Sequence, residues 1–314
     1  MLIKKRTKPL PLQKLDALIS RLHPNHPNLE NIKKDAAIRY KGYIGEQKVD
    51  YHLERLTLPC TIAHDIYIKT EQQNFQIDTL ILTQRAIYII EIKNYTGTIT
   101  FDTNLQQFIR KHDTKEEGFH NPITQAENTK QQLEKWLSQR NIHNIPIHYF
   151  IVISEPSTII RVHGNEQSIA KSVTHTANLT QKITTTEQSH KNNNLNHRKI
   201  GHIITQASQE FDLDITRQHN ITPHDIQPGV QCPNCKQHKM KRQHSKWHCT
   251  NCHHTSKHAH IPALNDYLRL IKPYITNRNT RNFLKIQSRY QAKRLLQSAN
   301  LTYNQKLKAW QKNN

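Results

Sequence analysis

Three ionisable residues fall where a buried strand should be apolar: Asp78, Glu91 and Lys93, within FQIDTLILTQRAIYIIEIKNYTG, residues 75–97. Alternate residues of a strand share a face, so Glu91 and Lys93 lie together, beside Ile89. A hairpin centred on Gln84 and Arg85 sets Asp78 opposite Glu91. No Gly or Asn offers a two-residue primed turn there, so a slightly longer loop is expected, which keeps the same pairing. Opposed carboxylates, about 5 Å apart, repel unless something positive lies between them. A divalent cation held by oxygen ligands meets that need. Lys93 could then face a scissile phosphate or an attacking water. The bland alternatives are a solvated strand face for Glu91 and Lys93, and an edge-strand charge for Asp78. The apolar alternation around them argues against the first.

The elements that must position these residues follow from periodicity. Residues 35–56 read as a helix with Ile38, Val49, Leu53 and Leu56 on a buried stripe. Glu46 falls on that stripe and needs a partner, either in the site or in a surface ion pair with Lys48 or Arg39. Strands are expected over 60–70, 75–83 and 86–95, with 97–102 extending the sheet and 103–120 mostly loop. Pro122 suits the first turn of a helix that turns Ala126, Leu133 and Leu137 inward. Residues 147–154 read as a buried strand. The order is helix, three strands, helix, strand, an α/β arrangement.

These motifs, in this order, resemble the nuclease-related domain (NERD) family of the PD-(D/E)xK, restriction-endonuclease-like group. Gly45-Glu46 matches its GE, and Gln76-Ile77-Asp78 its QID. Glu91-Ile92-Lys93-Asn94-Tyr95 with Gly97 matches E-x-K-N-x-x-G, and Asn121-Pro122 with Gln125 matches NPxxQ. The resemblance covers about residues 37–155. It implies a restriction-endonuclease-like sandwich and metal-dependent phosphodiester cleavage. It further implies that Asp78, Glu91 and the Ile92 carbonyl bind Mg²⁺ or Mn²⁺, with Glu46 as an extra ligand, direct or through water. Lys93 would position the nucleophile or stabilise the developing oxyanion. Gln125 would orient the water or the phosphate; on residue type alone it could equally be an ordinary helix-surface glutamine.

Charge placement bears on the partner. The 314 residues carry a net +21, with 9 Lys/Arg against 3 acids over 1–40, 19 against 20 over 41–229, and 17 against one, Asp266, over 230–314. One-sided charge repels itself, so a polyanion is the simplest partner and nucleic acid, DNA foremost, the commonest one. Mean hydropathy is −0.81, which suits a modest core with polar linkers rather than one large globule. No apolar run reaches the length of a membrane span, and the basic start of the chain lacks the apolar segment of a signal peptide. A cytoplasmic location without membrane attachment is expected. A homodimer stays open, since cutting a duplex commonly needs two active sites.

Four of five cysteines form two C-x2-C pairs, Cys232/Cys235 and Cys249/Cys252, thirteen residues apart. Paired thiolates at this spacing suit tetrahedral Zn²⁺ in a ribbon that needs its metal to fold. Lys239, Lys241, Arg242 and Lys246 would decorate it for phosphate contact. Trp247 would stack a base or pack inside. Arg289, Lys293 and Arg294 lie on basic helices that either enter a groove or pack on the ribbon. The expected organisation is a basic arm (1–36), the nuclease-like domain (37–155), a polar extension and linker with an Asn-rich loop at 191–196 (156–229), the zinc ribbon (230–256) and a basic helical C-terminal region (257–314). Two functions remain: a metal-dependent nuclease, or a catalytically silent nucleic-acid-binding or partner-recruiting protein on a nuclease-like scaffold.

Overall fold

A computed structural model describes residues 1–190 and 194–312; the first three residues of the expected Asn-rich loop lie outside the described ones. The chain divides into two compact units, residues 1–9 with 39–211, and residues 10–38 with 212–314.

The first unit is built on a mixed six-stranded sheet. Its strand order is Leu2–Lys4, Cys60–Ile68, Phe75–Thr83, Ile87–Lys93, Ile147–Ile153, Val173–His175. The strands Cys60–Ile68, Phe75–Thr83 and Ile87–Lys93 are antiparallel neighbours, and Ile87–Lys93 runs parallel to Ile147–Ile153. Ile87–Glu91 is fully buried, as a strand covered on both faces must be. On one face Leu133, Trp136 and Leu137 of the helix Pro122–Ser138, with Ile200 and Ile204 of His197–Ala207, cover Ile77, Leu80, Leu82 and Ile89. On the other, Val49 and Leu53 of Leu29–Leu53, with Leu179 and Ile183 of Thr176–Ser189, cover Ile81, Tyr88, Ile90 and Phe150. The expected order of helix, three strands, helix, strand is present, in an α/β sandwich. Ile38 departs from the expected stripe: it is 72% exposed.

The hairpin keeps the expected register, with Thr79 opposite Ile90 and Leu82 opposite Ile87. Its loop closes without positive φ at Gln84 or Arg85. The Thr83 hydroxyl stands in for a backbone acceptor, taking hydrogen bonds from the Arg85 and Ala86 amides at 3.2 and 3.0 Å.

Three segments differ from expectation. Residues 107–112 and 115–119 are strands rather than loop. They form a second sheet, in the order Lys115–Phe119, Gln107–His112, Thr98–Asp102, Ile159–His163. Phe108 is the one buried residue of the two, so alternation was too weak to reveal them. Residues 98–102 therefore belong to this sheet and do not extend the first. The start of the basic arm is an edge strand of the main sheet. Residues 156–211, expected as a polar extension, supply strands and two covering helices to the first unit.

In the second unit, Met240–Gln243, Lys246–Cys249 and Thr255–Ser256 make a three-stranded antiparallel ribbon. Its knuckles repeat one geometry. Lys236 and Cys232 bond amide to carbonyl at 3.0 Å, as His253 and Cys249 do at 3.1 Å, and Lys236 and His253 both turn left-handed, φ 60 and 58. The C-terminal region holds the helices His260–Leu270, Asn277–Leu284 and Arg289–Ser298, then a strand pair, Leu301–Asn304 and Ala309–Lys312, where only helices were expected. Arg21 is wholly buried in this unit, bonded to Asp266 Oδ2 at 2.8 Å and Gln227 O at 2.9 Å, with its guanidinium 4.7 Å from the Phe283 ring centre. Trp247 is 0% exposed, which corrects its reading as a base-stacking residue. Its indole N–H faces His260 Nδ1 at 3.2 Å, and His260 Nε2 lies 2.9 Å from Ser298 Oγ.

An indole N–H only donates, so His260 Nδ1 must accept and the ring must be neutral. Burial, with Arg242 and His258 nearby, pushes its pKa down to about 4. The unfolded chain takes up a proton near pH 6.5 that the folded ring refuses. The contribution is whole above that pH and is lost as pH falls towards 4. NMR titration of His260 in the native protein is expected to give a pKa well below 6; a value at or above 6.5 would contradict this packing.

Candidate active site

The site lies where three neighbouring strands present acids in one row. The pairs His64–Thr79 and Ile66–Ile77 bracket Asp65 and Asp78, and Thr79–Ile90 leads on to Asp78 and Glu91. Asp65, Asp78 and Glu91 therefore follow one another across the sheet. Asp65 adopts φ 53, and the ladder lapses at that residue. The helix Leu29–Leu53 adds Glu46 and Asp50 beside the row.

Three groups hold the five acids: the Ile92 amide, Lys93 and Arg6. Asp78 Oδ2 accepts from the Ile92 amide at 2.8 Å. Glu91, 3% exposed, is bridged to Lys93 Nζ at 2.7 Å. Lys93 Nζ also donates to Gln125 Oε1 at 3.1 Å. Glu46 Oε2 accepts from Arg6 Nη1 at 2.8 Å, and Arg6 Nε meets Asp50 Oδ2 at 2.7 Å. The same guanidinium bonds Asp65 Oδ1 at 2.5 Å, the Asp78 carbonyl at 3.0 Å and Thr79 Oγ1 at 2.8 Å. Arg6 and Lys93 thus compensate the row from its two sides.

Crowding leaves a mark on the acids. Burial, then the charge of Asp78, pushes both Glu46 and Glu91 well above the carboxylate range; Arg6 opposes this at Glu46 and Lys93 at Glu91. Burial raises Asp65 to about 6, with Asp78 adding to the shift and Arg6 opposing it.

The motif residues outside the row aim these groups. A Cβ on Gly45 would come within 2.6 Å of the Asn94 Cβ and the Ser154 Oγ. Glycine lets the helix carrying Glu46 close on the strand end. Asn94 Nδ2 returns a hydrogen bond to the Lys41 carbonyl at 2.6 Å. Gly97 has φ +90, and a Cβ there would clash with the Lys111 carbonyl. Asn121 caps the helix Pro122–Ser138 by accepting from the Ile123 amide, Pro122 fills the first turn, and Gln125 reaches Lys93 from it.

Of the five side chains expected in the site, Asp78, Glu91, Lys93 and Gln125 lie together at this sheet end, and Glu46 is linked to it through Arg6, which also bonds the Asp78 carbonyl. The sequence reading missed Arg6, Asp50 and Asp65. Arg6 lies in a run of basic residues that gave no sign it would be buried, at 3% side-chain exposure. Asp65 interrupts the apolar strand 60–68 much as Asp78 interrupts the next, and that signal was available.

Residues 41–154 match the family described as Nuclease-related domain. The chain carries a NERD domain. An uncharacterized protein of Bacillus anthracis is 26% identical over 194 residues, covering 61% of this chain and 87% of its own. The crystal structure of protein VC1899 from Vibrio cholerae aligns with 51% of this chain at 12% identity and a TM-score of 0.24. This chain spans 36% of that protein's length, and no structural argument follows from the likeness. Arg6 lies outside the matched NERD residues, as does the whole four-cysteine ribbon.

The oxygen-only set of Asp78 and Glu91 fits a hard divalent cation, which commonly keeps several waters and needs one or two protein carboxylates. Glu46, held by Arg6, is not gathered with them into a close three-ligand cluster among the described residues. The Sγ atoms of Cys232, Cys235, Cys249 and Cys252 do gather, all within 4.8 Å of one another, with Cys232–Cys252 and Cys235–Cys249 at 3.6 Å. Tetrahedral Zn–S bonds of about 2.3 Å require edges of about 3.8 Å, so this set fits zinc. Among the described residues, no helix is long and apolar enough to cross a membrane.

Two outcomes test this description. Arg6→Met leaves three carboxylates uncompensated and is expected to cost on the order of 3 kcal/mol in urea unfolding; parental stability would contradict the role of Arg6. Cys249→Ser is expected to abolish stoichiometric zinc and loosen the ribbon; a folded variant holding one zinc per chain would overturn the assignment.

Proposed function

We propose that this protein is a metal-dependent nuclease that hydrolyses phosphodiester bonds of DNA. The observation that carries the reading is the acid row Asp65–Asp78–Glu91 with Lys93 at its end. A partly buried row of like charges is costly, and a fold gains nothing from it unless it is used. The NERD match supports the same class of chemistry.

Mg²⁺ or Mn²⁺ bound by Asp78 and Glu91 would acidify a water and neutralise phosphate charge. The Ile92 amide holds Asp78 in place for that duty. Lys93 donates to Glu91 and Gln125 and retains a third N–H; that donor would meet a phosphate oxygen or orient the attacking water. Gln125 keeps the ammonium from collapsing wholly onto Glu91. Glu46 acts from the outer side, positioned by Arg6. Zinc in the ribbon fastens structure, and the exposed Lys239, Lys241, Lys246, Arg289, Lys293 and Arg294 add phosphate contacts. Reduced thiols suit a cytoplasmic setting, and a homodimer would supply two sites for a duplex.

The silent-scaffold reading draws on one observation: Glu46, Asp78 and Glu91 are each already held by a protein group. Incubation with linear, circular and single-stranded DNA, with and without Mn²⁺, separates the two. Metal-dependent cleavage, reduced roughly 100-fold or more in Lys93→Ala, is expected. Binding without cleavage under every condition would favour the scaffold.

A further inference from the structure

The second unit holds a pocket of about 270 Å³ whose lining is basic and contains no Asp or Glu. Arg242 of the ribbon, Lys257 and His258 of the following loop, and Gln291, Arg294 and Ser298 of the helix Arg289–Ser298 converge on it. Residues 291, 294, 295 and 298 follow helical spacing, so one face of that helix forms one wall.

Arg242 is the informative residue. It pairs across the ribbon with Trp247, and its guanidinium lies 5.4 Å from the centre of the buried indole. Its Nε and Nη1 atoms are buried and have no hydrogen-bond partner in the protein. Buried donor atoms without a partner carry a desolvation cost that a native fold normally offsets with an acceptor. The charge of Arg294 bears on the same guanidinium, so the nearest compensation the chain offers is of the wrong sign. The one acid of residues 230–314, Asp266, is bonded to Arg21 elsewhere in the unit. An external anion would supply the acceptor that these donors lack in the protein. Two guanidiniums and an ammonium in one concavity exceed what a single carboxylate balances, and planar guanidinium forks match phosphate oxygens.

We propose that this pocket is a phosphate-binding site, and that the phosphate belongs to a nucleic-acid strand. The second half rests on the nucleic-acid reading above; the first does not. The site would hold one phosphate in a fixed place, distinct from the diffuse contacts of surface lysines.

The test uses full-length, zinc-loaded protein carrying Lys93→Ala, so that no cleavage intervenes. Affinities are measured for single strands bearing a 5′-phosphate or a 5′-hydroxyl, alone and after adding Arg294→Gln, Lys257→Gln or Arg242→Gln. Each addition is expected to weaken binding roughly tenfold, whereas Lys306→Ala, an exposed lysine outside the pocket, changes it about twofold or less. A 5′-phosphate preference that vanishes in the variants assigns the pocket to a strand end. Equal affinity for both strands, lost in the variants, assigns it to the backbone. Inorganic phosphate is expected to raise the melting temperature of the parent and not of Arg294→Gln. Arg294 and Lys257 are exposed, so their variants remain informative should Arg242→Gln fail to fold. Unchanged affinity in all three variants, or an equal loss in Lys306→Ala, would overturn the proposal. Absence of cleavage in the parent enzyme would leave this result standing, and loss of the pocket would leave metal-dependent cleavage standing.

Discussion

Electrostatic repulsion among carboxylates at one end of a buried sheet is the constraint around which the first unit is arranged. Asp65, Asp78 and Glu91 lie in a row, and Glu46 and Asp50 approach from a helix. Such a group is tolerable only if every acid is compensated, and the compensation comes from both neighbouring and distant parts of the chain. Arg6 arrives on a segment that enters the sheet as an edge strand, Lys93 from the same strand as Glu91, and the Ile92 amide from the hairpin partner. Gly45 and Gly97 serve the same end, since each removes a Cβ that would keep a neighbouring element away.

The second unit manages its charge in the opposite sense. It has too few acids, and its inward-facing guanidiniums are only partly compensated, by stacking and by carbonyls. Arg21 lies over Phe283 and bonds backbone oxygens as well as Asp266, and Arg242 lies over Trp247. Four thiols within 4.8 Å supply a metal site that can staple a module with little core of its own. Acids crowded in one unit and cations crowded in the other each create a demand for a partner of opposite charge: a dication in the first, a polyanion in the second.

Much of this was legible from the chain, and the reason is local. Hairpin register follows from strand period and the turn position, so Asp78 opposite Glu91 could be read directly. C-x2-C spacing is likewise a short-range signal. Arg6 was illegible because its partners, Glu46, Asp50 and Asp65, are 40 or more residues away. Residues 107–119 were illegible because their sheet is mostly exposed and its alternation is blunted by charge. Trp247 was open between two roles because burial of an aromatic depends on what packs over it, here His260. Asp65 was passed over although it breaks an apolar strand in the same way as Asp78.

The most direct test of the central claim is anomalous diffraction from crystals soaked in Mn²⁺. The account expects a single strong peak within coordination distance of Asp78 and Glu91, with Lys93 released from Glu91 or shifted. A metal-free acid row at saturating Mn²⁺, with Lys93 still on Glu91 and Asp78 still on the Ile92 amide, would contradict it.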